Sequence, residues 1–286
     1  MDNKNTGLVL EGGAMRGIFT AGVIDVFMEN GIDFPAFVGV SAGAAFGCNL
    51  KSRQPGRVLR YNLRFCRDPK YCSIRSLIKT GDMFGAEFCY RTLPEELDVF
   101  DFKAFEENPM DFYAVCSDVE TGKPVYKKIE KGNSECYDWI RASASMPLVS
   151  RIVELDGKKY LDGGVTDSIP IRFMETMYNK NVVVLTRPRD YIKQPASHLW
   201  MFRRTLKNYP NMMEAIKNRH IMYNETRDYL FSQEREGNAF IICPKEPLEI
   251  KRVEHNAEMI QKTYDIGRKA SLEKLDELKR FIENDN

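Results

Sequence analysis

Seventeen consecutive residues, Phe34 to Leu50, carry no charge, and the order of side chains within them leaves few folds open. The run is shorter than a membrane-spanning helix needs and is interrupted by Pro35, Gly39, Gly43 and Gly47. Phe37-Val38-Gly39-Val40 is an apolar strand, and the Ala/Gly-rich stretch after Ser41 is a helix to about Leu50, so the run reads as a buried strand–turn–helix. The same rhythm precedes it. Residues 7–10 (GLVL) form a strand that ends in Gly12-Gly13. A helical pattern then runs from about Arg16 to Asn30, where Ile18, Ala21, Gly22, Asp25, Val26 and Glu29 divide into apolar and polar faces and Gly31 stands as the C-terminal cap. Strand, glycine turn, helix, strand, tight turn, helix is the pattern of a mostly parallel α/β sheet covered by helices.

The rest of the chain continues in kind. Residues 51–110 read as helical and irregular, punctuated by Pro55-Gly56, Asp68-Pro69, Gly81 and Pro94. Strands are expected at Phe112–Cys116 and Val125–Ile129, a short helix at Asp138–Ser145, and a hairpin pairing Ile152–Leu155 with Lys159–Leu161 across Asp156-Gly157, a type I′ turn signal. Asn181–Thr186 is a continuous apolar strand suited to the interior of a sheet. After Pro188 long helical stretches follow at 210–236 and 254–283, with a short strand-like run Ala239–Cys243 between them. The expected organisation is a domain over 6–188 and a mainly helical extension over 189–286.

Composition removes several classes of function. At 43% hydrophobic and 29% charged residues the chain is neither disordered nor collagen-like, and a net charge of +1 argues against a polyanion binder. Seven cysteines without a CxxC pair fit scattered cytoplasmic thiols rather than a zinc ribbon or a disulfide scaffold. The N-terminus has no basic segment followed by an apolar one, so no secretory signal is expected, and any membrane contact would be peripheral. No HExxH and no calcium-binding loop is present, so no metal and no cofactor is expected.

Three segments carry chemistry. Gly39-Val40-Ser41-Ala42-Gly43 is a G-x-S-x-G between strand and helix, the arrangement that holds a nucleophilic serine at a sheet tip beside a helix N-terminus. Alone, the pattern also describes a tight glycine turn with an incidental serine. Glu11-Gly12-Gly13-Ala14-Met15-Arg16-Gly17 is a glycine-rich helix entry whose amides can bind an anion, either a phosphate or the oxyanion of a tetrahedral intermediate. It lacks the ending of a Walker loop and the spacing of the dinucleotide fingerprint. Asp162-Gly163-Gly164 closes the hairpin strand and as a bare tripeptide reads as a turn.

In this order and spacing the three segments resemble the patatin-like phospholipase family. That family's loop G-G-G-x-R/K-G is matched by Gly12, Gly13, Met15, Arg16 and Gly17, with Ala14 where the third glycine belongs. Its G-x-S-x-G is matched at Gly39–Gly43 and its D-G-A/G at Asp162–Gly164, with Ala142–Pro147 similar to the segment that precedes the family's aspartate. The resemblance covers about residues 6–188; residues 190–286 resemble, more loosely, the helical extension of some bacterial members. It implies a three-layer sandwich and a Ser–Asp dyad. Ser41 would attack an ester carbonyl and Asp162 would take its proton. Amides around Gly12, Gly13, Ala14 and Ala42 would hold the oxyanion, Arg16 would brace the loop or add positive charge, and Gly17, Gly39, Gly43, Gly163 and Gly164 would support the turns. If position 14 needs a positive φ, alanine there costs about 1 kcal/mol.

Histidine usage agrees with a dyad. His198, His220 and His255 are the only histidines, and none lies between Ser41 and Asp162, where no triad could find one without recruiting the tail. The expected activity is lipid acyl hydrolysis of the phospholipase A or esterase type. An acyltransferase or thioesterase working through the same acyl-serine, and a catalytically silent lipid-binding module, are the alternatives. Charge is segregated: residues 51–75 carry eight Lys/Arg against one acid, and residues 187–220 eight against two. Both stretches also hold aromatic and Met side chains, which suits a basic cap that docks on anionic lipid headgroups and equally suits a solvated helix face. Nucleic acid is not an expected partner, because no reader motif accompanies the charge. The oligomeric state stays open.

Overall fold

The computed structural model describes residues 5–283. Strand β1 (Thr6–Leu10) leads through a 3-10 turn at Ala14–Arg16 into α1 (Gly17–Glu29), and β2 (Ala36–Val40) leads directly into α2 (Ala42–Lys51). Then come α3 (Arg57–Phe65), α4 (Ile74–Thr80), a π-helical segment at Phe88–Leu97 and α5 (Phe102–Glu107). The chain returns to the sheet with β3 (Asp111–Asp118) and β4 (Pro124–Lys128), crosses in α6 (Ser134–Ser143), and forms the hairpin β5 (Val153–Leu155) and β6 (Lys158–Asp162). A short α7 (Ile171–Met174) precedes β7 (Lys180–Val184). The tail supplies α8 (Leu199–Thr205), α9 (Pro210–Arg235), β8 (Ala239–Ile242), α10 (Ala257–Glu273) and α11 (Leu275–Glu283).

The strands form one sheet in the order β5-β6-β3-β2-β1-β7-β8, with β4 also on β3. The run β3-β2-β1-β7-β8 is parallel. Side chains alternate between two cores, as the pleat requires. Leu8, Leu10, Phe37, Val182 and Val184 pack into the cluster shared with α1, α2 and α10. Val9, Val38, Val40 and Val183 pack against Ile171 and Met174 of α7 and Tyr223 and Leu230 of α9. Because both faces are covered, these strands are apolar throughout rather than alternating. This is the expected three-layer α/β sandwich.

Local expectations meet the structure in most places. Asp156 and Gly157 have φ of 51° and 72°, the two positive values a type I′ turn demands, and Gly31 follows α1 at φ 63°. The helix expected at Asp138 begins at Ser134 instead, because the Asn133 side chain caps it by accepting from the Glu135 amide. The periodicity of α1 misleads in one respect. Gly22 and Asp25, on its polar side, are buried by α10. A Cβ on Gly22 would lie 2.3 Å from the Tyr264 carbonyl oxygen, and one on Gly267 would lie 2.0 Å from that of Phe19, so two glycines let these helices cross backbone to backbone. The Tyr264 hydroxyl and the Gly56 amide both donate to Asp25.

The tail is mainly helical, and it also completes the sheet: β8 pairs in parallel with β7 through Asn181–Val184. Among the described residues no helix is long and apolar enough to cross a membrane, and no group of three or more His, Cys, Asp or Glu is placed to hold a metal.

Candidate active site

Strand register explains why three distant segments meet. Val40 is the register partner of Val115 in β3, and Asp162 is the partner of the next residue, Cys116. The residue after Val40 therefore arrives beside the end of β6. On the other side of β2, Leu10 pairs with Gly39, so the glycine loop that follows β1 leaves the sheet at the same level. All three segments sit at the carboxyl end of β2, where open α/β sheets place their sites.

Ser41 turns the chain from β2 into α2 with φ 55° and ψ −119°, a conformation that a non-glycine residue adopts only when its surroundings impose it. The surroundings are tight. A Cβ on Gly39 would lie 2.6 Å from the Ala44 amide nitrogen, and one on Gly43 would lie 2.3 Å from the Leu10 carbonyl oxygen. The Ser41 carbonyl accepts from Ala44 and Ala45 and so starts the helix, while its own amide donates to the Ser143 hydroxyl at 3.0 Å. The side chain is 6% exposed.

In the glycine loop, a Cβ on Gly12 would lie 3.1 Å from the Ser41 Cβ, so the loop crosses directly over the serine. Ala14 has φ 48°, the positive value at which the sequence anticipates a steric cost. Among the described residues the amides of Gly12, Gly13, Ala14 and Ala42 donate to no main-chain acceptor outside regular helices and strands. Glu11 anchors the loop from below. One carboxylate oxygen accepts from the Thr186 amide and hydroxyl, and the other accepts from the Tyr223 hydroxyl at 2.8 Å. Gly17 abuts Ala42 and Phe46, which packs the start of α1 on α2.

Asp162 ends β6, 4% exposed, with its amide donating to the Ser145 carbonyl. One carboxylate oxygen caps the following 3-10 turn by accepting from the Gly164 amide at 2.7 Å. A Cβ on Gly163 would lie 2.1 Å from the Val115 carbonyl oxygen, so glycine is required by contact with β3. Burial pushes the Asp162 carboxyl above the usual carboxylate range; a hydrogen bond with Ser41, the charge of Arg219 and the Gly164 amide pull the other way. Strand register thus sets Ser41 beside Asp162, close enough for the serine to favour the charged carboxylate. Arg16 is mostly buried, and burial together with Arg187 lowers its pKa to about 10.

A cleft opens beside Ser41, walled by apolar and aromatic side chains that include Phe46, Tyr61, Tyr71, Phe84, Leu93 and Met146. Residues 51–75 therefore do form part of the wall. Half of the eight cations of that stretch are engaged by named partners within the protein, and two of them, Lys51 and Arg57, are buried. Arg57 and Arg60 pair with Asp98, Arg53 pairs with Asp33, and Lys51 donates to the Asn108 and Met110 carbonyls. None of the three histidines lines the cleft. The His255 ring lies on the Cys66 carbonyl, and that of His220 on the Lys217 carbonyl.

Sequence reasoning missed the residues that hold the site from behind. Ser143 lies within the Ala/Ser-rich segment but carries no pattern of its own. Arg219 and Tyr223 come from α9, one turn apart, and reach the Gly164 carbonyl and Glu11. Their only local signal is the four-residue spacing that puts both on one helix face.

Comparison with known proteins finds two family models along the chain. The family model described as patatin-like phospholipase matches residues 8–174, and a domain of unknown function, DUF6363, matches residues 209–283. The uncharacterized protein YjjU of Escherichia coli K12 is 27% identical over 276 residues, covering 91% of this chain and 74% of that protein. Lysophospholipase nte1 of Aspergillus terreus is 29% identical over 185 residues, covering 60% of this chain, which spans only 11% of the fungal protein's length. Among solved structures, VipD of Legionella pneumophila is similar at a TM-score of 0.47 and 14% identity, covering 96% of this chain and 67% of that chain.

Proposed function

The chain belongs to the patatin-like phospholipase family, and from that premise we propose that it is a serine-dependent lipid acyl hydrolase in which Ser41 is the nucleophile and Asp162 the base. The observation that carries the reading is the strand register that sets Ser41, on a strained turn at the end of β2, beside Asp162 at the end of β6.

The Ser41 Oγ attacks the ester carbonyl carbon while its proton passes to the Asp162 carboxylate. The carbonyl oxygen becomes an oxyanion, for which the amides of Gly12, Gly13, Ala14 and Ala42 are the donors at hand. Collapse expels the alcohol, which takes the proton from Asp162 and leaves an acyl-serine. Water, deprotonated by the same carboxylate, then releases the carboxylic acid and restores Ser41. A carboxylate is a weak base, and burial of Asp162 moves it toward the pH at which it works. The apolar cleft accommodates the acyl chain. Gly17, Gly39, Gly43, Gly163 and Gly164 serve the reaction by permitting the contacts that fix the turns, and Arg16 by adding positive charge behind the loop. We place the enzyme in the cytoplasm with peripheral access to anionic membrane. In that reading Ile74 and Ile78, 68% and 80% exposed on α4, make the contact, flanked by Arg75 and Lys79.

A fluorophosphonate probe and short-chain p-nitrophenyl esters test the assignment. Labelling and turnover are expected in the parent chain and in His255→Ala, and to fall by at least about 1000-fold in Ser41→Ala and Asp162→Asn. Full turnover in Asp162→Asn, or its loss in His255→Ala, sinks the dyad. Labelling without turnover favours an acyltransferase or thioesterase, and silence in both assays favours a lipid-binding module.

A further inference from the structure

Five cationic side chains are within electrostatic reach of one another around the glycine loop, and none of them lines the apolar cleft. Arg16 comes from the loop itself, Arg187 follows β7, Lys193 lies five residues after Pro188, Arg219 is in α9 and Arg252 precedes α10. Four of the five lie beyond residues 8–174, the segment that matches the family. Their placement is built rather than incidental. The Arg187 guanidinium stacks 4.3 Å from the Tyr191 ring, and the Lys193 ammonium stands 4.1 Å from that of Tyr223. Lys193 is further fixed by two main-chain hydrogen bonds with the Asn224 side chain. The Arg219 Nε donates to the Gly164 carbonyl, and the Arg16 Nε is buried with no partner.

The charges do not balance. Arg16 feels Arg187 and Arg252; Lys193 feels Arg219, Arg16 and Arg187; Arg219 feels Arg252. The carboxylates among these neighbours are Glu11 and Asp162; both Glu11 oxygens are engaged by Thr186 and Tyr223, and Asp162 Oδ1 by the Gly164 amide. Burial above all, then the cations of Arg219, Arg16 and Arg187, bring the Lys193 ammonium down to about 7, while Glu11 pulls the other way.

We propose that Arg16, Arg187, Lys193, Arg219 and Arg252 form an anion site for a substrate phosphate, and that the site selects lipids whose phosphate carries no ammonium of its own. The inference rests on the lipid-hydrolase reading. A phosphate monoester carries close to two negative charges near neutral pH and offers oxygens that guanidinium forks bind in pairs. A choline or ethanolamine headgroup would bring another cation among five. Arg219 also ties the site to the reaction, since its second guanidinium nitrogen and the Asp162 Oδ1 lie 3.2 Å and 3.0 Å from the point where a Cβ on Gly164 would sit. The phosphate would thus stand within reach of the ester being cut.

The test compares dihexanoyl phosphatidic acid, dihexanoyl phosphatidylcholine and p-nitrophenyl butyrate as substrates of the full chain, of Arg187→Gln/Lys193→Gln, and of the exposed single variant Arg252→Gln. The parent is expected to prefer phosphatidic acid over phosphatidylcholine by about tenfold or more in kcat/KM, and the double variant to lose most of that preference through a higher KM for phosphatidic acid. Arg252→Gln, which leaves the buried residues in place, is expected to lose about threefold of it. Inorganic phosphate is expected to compete with phosphatidic acid and to raise the melting temperature of the parent but not of the double variant. A phosphate response without any headgroup preference assigns the site to a free ion and overturns the headgroup role. No phosphate response and no change in preference overturn the site. If the parent hydrolyses none of the esters, the hydrolase reading fails, and the phosphate-dependent melting shift decides the site independently.

Discussion

Replacing Tyr223 by Phe isolates the hydrogen bond through which α9 holds the glycine loop. The ring keeps its edge contact with Tyr191, whose centroid is 5.9 Å away, and its place under Lys193; only the hydroxyl that donates to Glu11 at 2.8 Å is removed. Hydrogen bonds to charged groups contribute about 1.5–3 kcal/mol, and one that leaves a buried carboxylate oxygen short of a donor belongs in the upper part of that range. Two effects pull the value back. The other Glu11 oxygen keeps both Thr186 donors, and Arg16, Lys193 and Arg219 remain as cationic neighbours. The expected loss is about 2 kcal/mol, which for a chain of 286 residues lowers the melting temperature by about 3 °C. Calorimetry and urea unfolding followed by near-UV circular dichroism measure it. Because Glu11 leads straight into Gly12 and Gly13, p-nitrophenyl ester hydrolysis is expected to fall about tenfold as the loop relaxes. A melting temperature changed by less than about 1 °C with unaltered hydrolysis would show that α9 neither shares the cooperative unit of the sheet nor supports the loop, and the reasoning would be refuted.

Three further substitutions probe other parts of the argument. The folded-state pKa of Asp162 lies above its unfolded value, so its contribution favours folding only below the unfolded pKa and is lost as pH rises through the folded one. Asp162→Asn is therefore expected to be more stable than the parent at pH 7 while losing hydrolysis, with the stability difference shrinking toward about pH 3; urea titrations across that range check the sign, and a less stable Asn variant at pH 7 contradicts it. Gly267→Ala gains about 1 kcal/mol of helix propensity but drives a methyl into the Phe19 carbonyl, and overpacking of about 1–3 kcal/mol against backbone outweighs it. A net loss of about 1 kcal/mol is expected by chemical denaturation, and a stabilised variant would mean that α1 and α10 separate freely. Ala14→Gly removes the strain of φ 48° but frees the unfolded chain by a comparable amount, so stability is expected to change by less than about 0.5 kcal/mol with hydrolysis kept; a fivefold loss of activity would give the Ala14 methyl a role of its own.

The parts of the site that rest on local backbone requirements were readable from residue order. A serine between glycines after an apolar strand, two glycines before a helix, and Asp-Gly across a hairpin each state a conformational need within a few residues. What residue order could not convey depends on contacts between distant segments. Asp25 sits on the polar side of α1 by periodicity, yet it is buried because Tyr264, 239 residues later, supplies its donor. Arg219 reaches Gly164 across 55 residues and Tyr223 reaches Glu11 across 212, and no local pattern marks either pairing. The basic stretch at 51–75 shows the same limit from the other side: its excess charge is real, but Asp98 and Asp33, outside the stretch, absorb several of its cations.

Placing the last strand of the sheet at Ala239–Ile242 has a kinetic consequence. β1 pairs with β7 across about 174 residues, and β7 then waits for β8 before both of its edges are satisfied. Closing such long loops delays the contacts that reward it, so slow, late-committing folding is expected of this topology. The glycine loop lacks its Tyr223 anchor, and α1 lacks its cover, until most of the chain is available. During synthesis the polypeptide would therefore acquire Ser41 early and the packed surroundings of Ser41 late, when α9 and α10 become available.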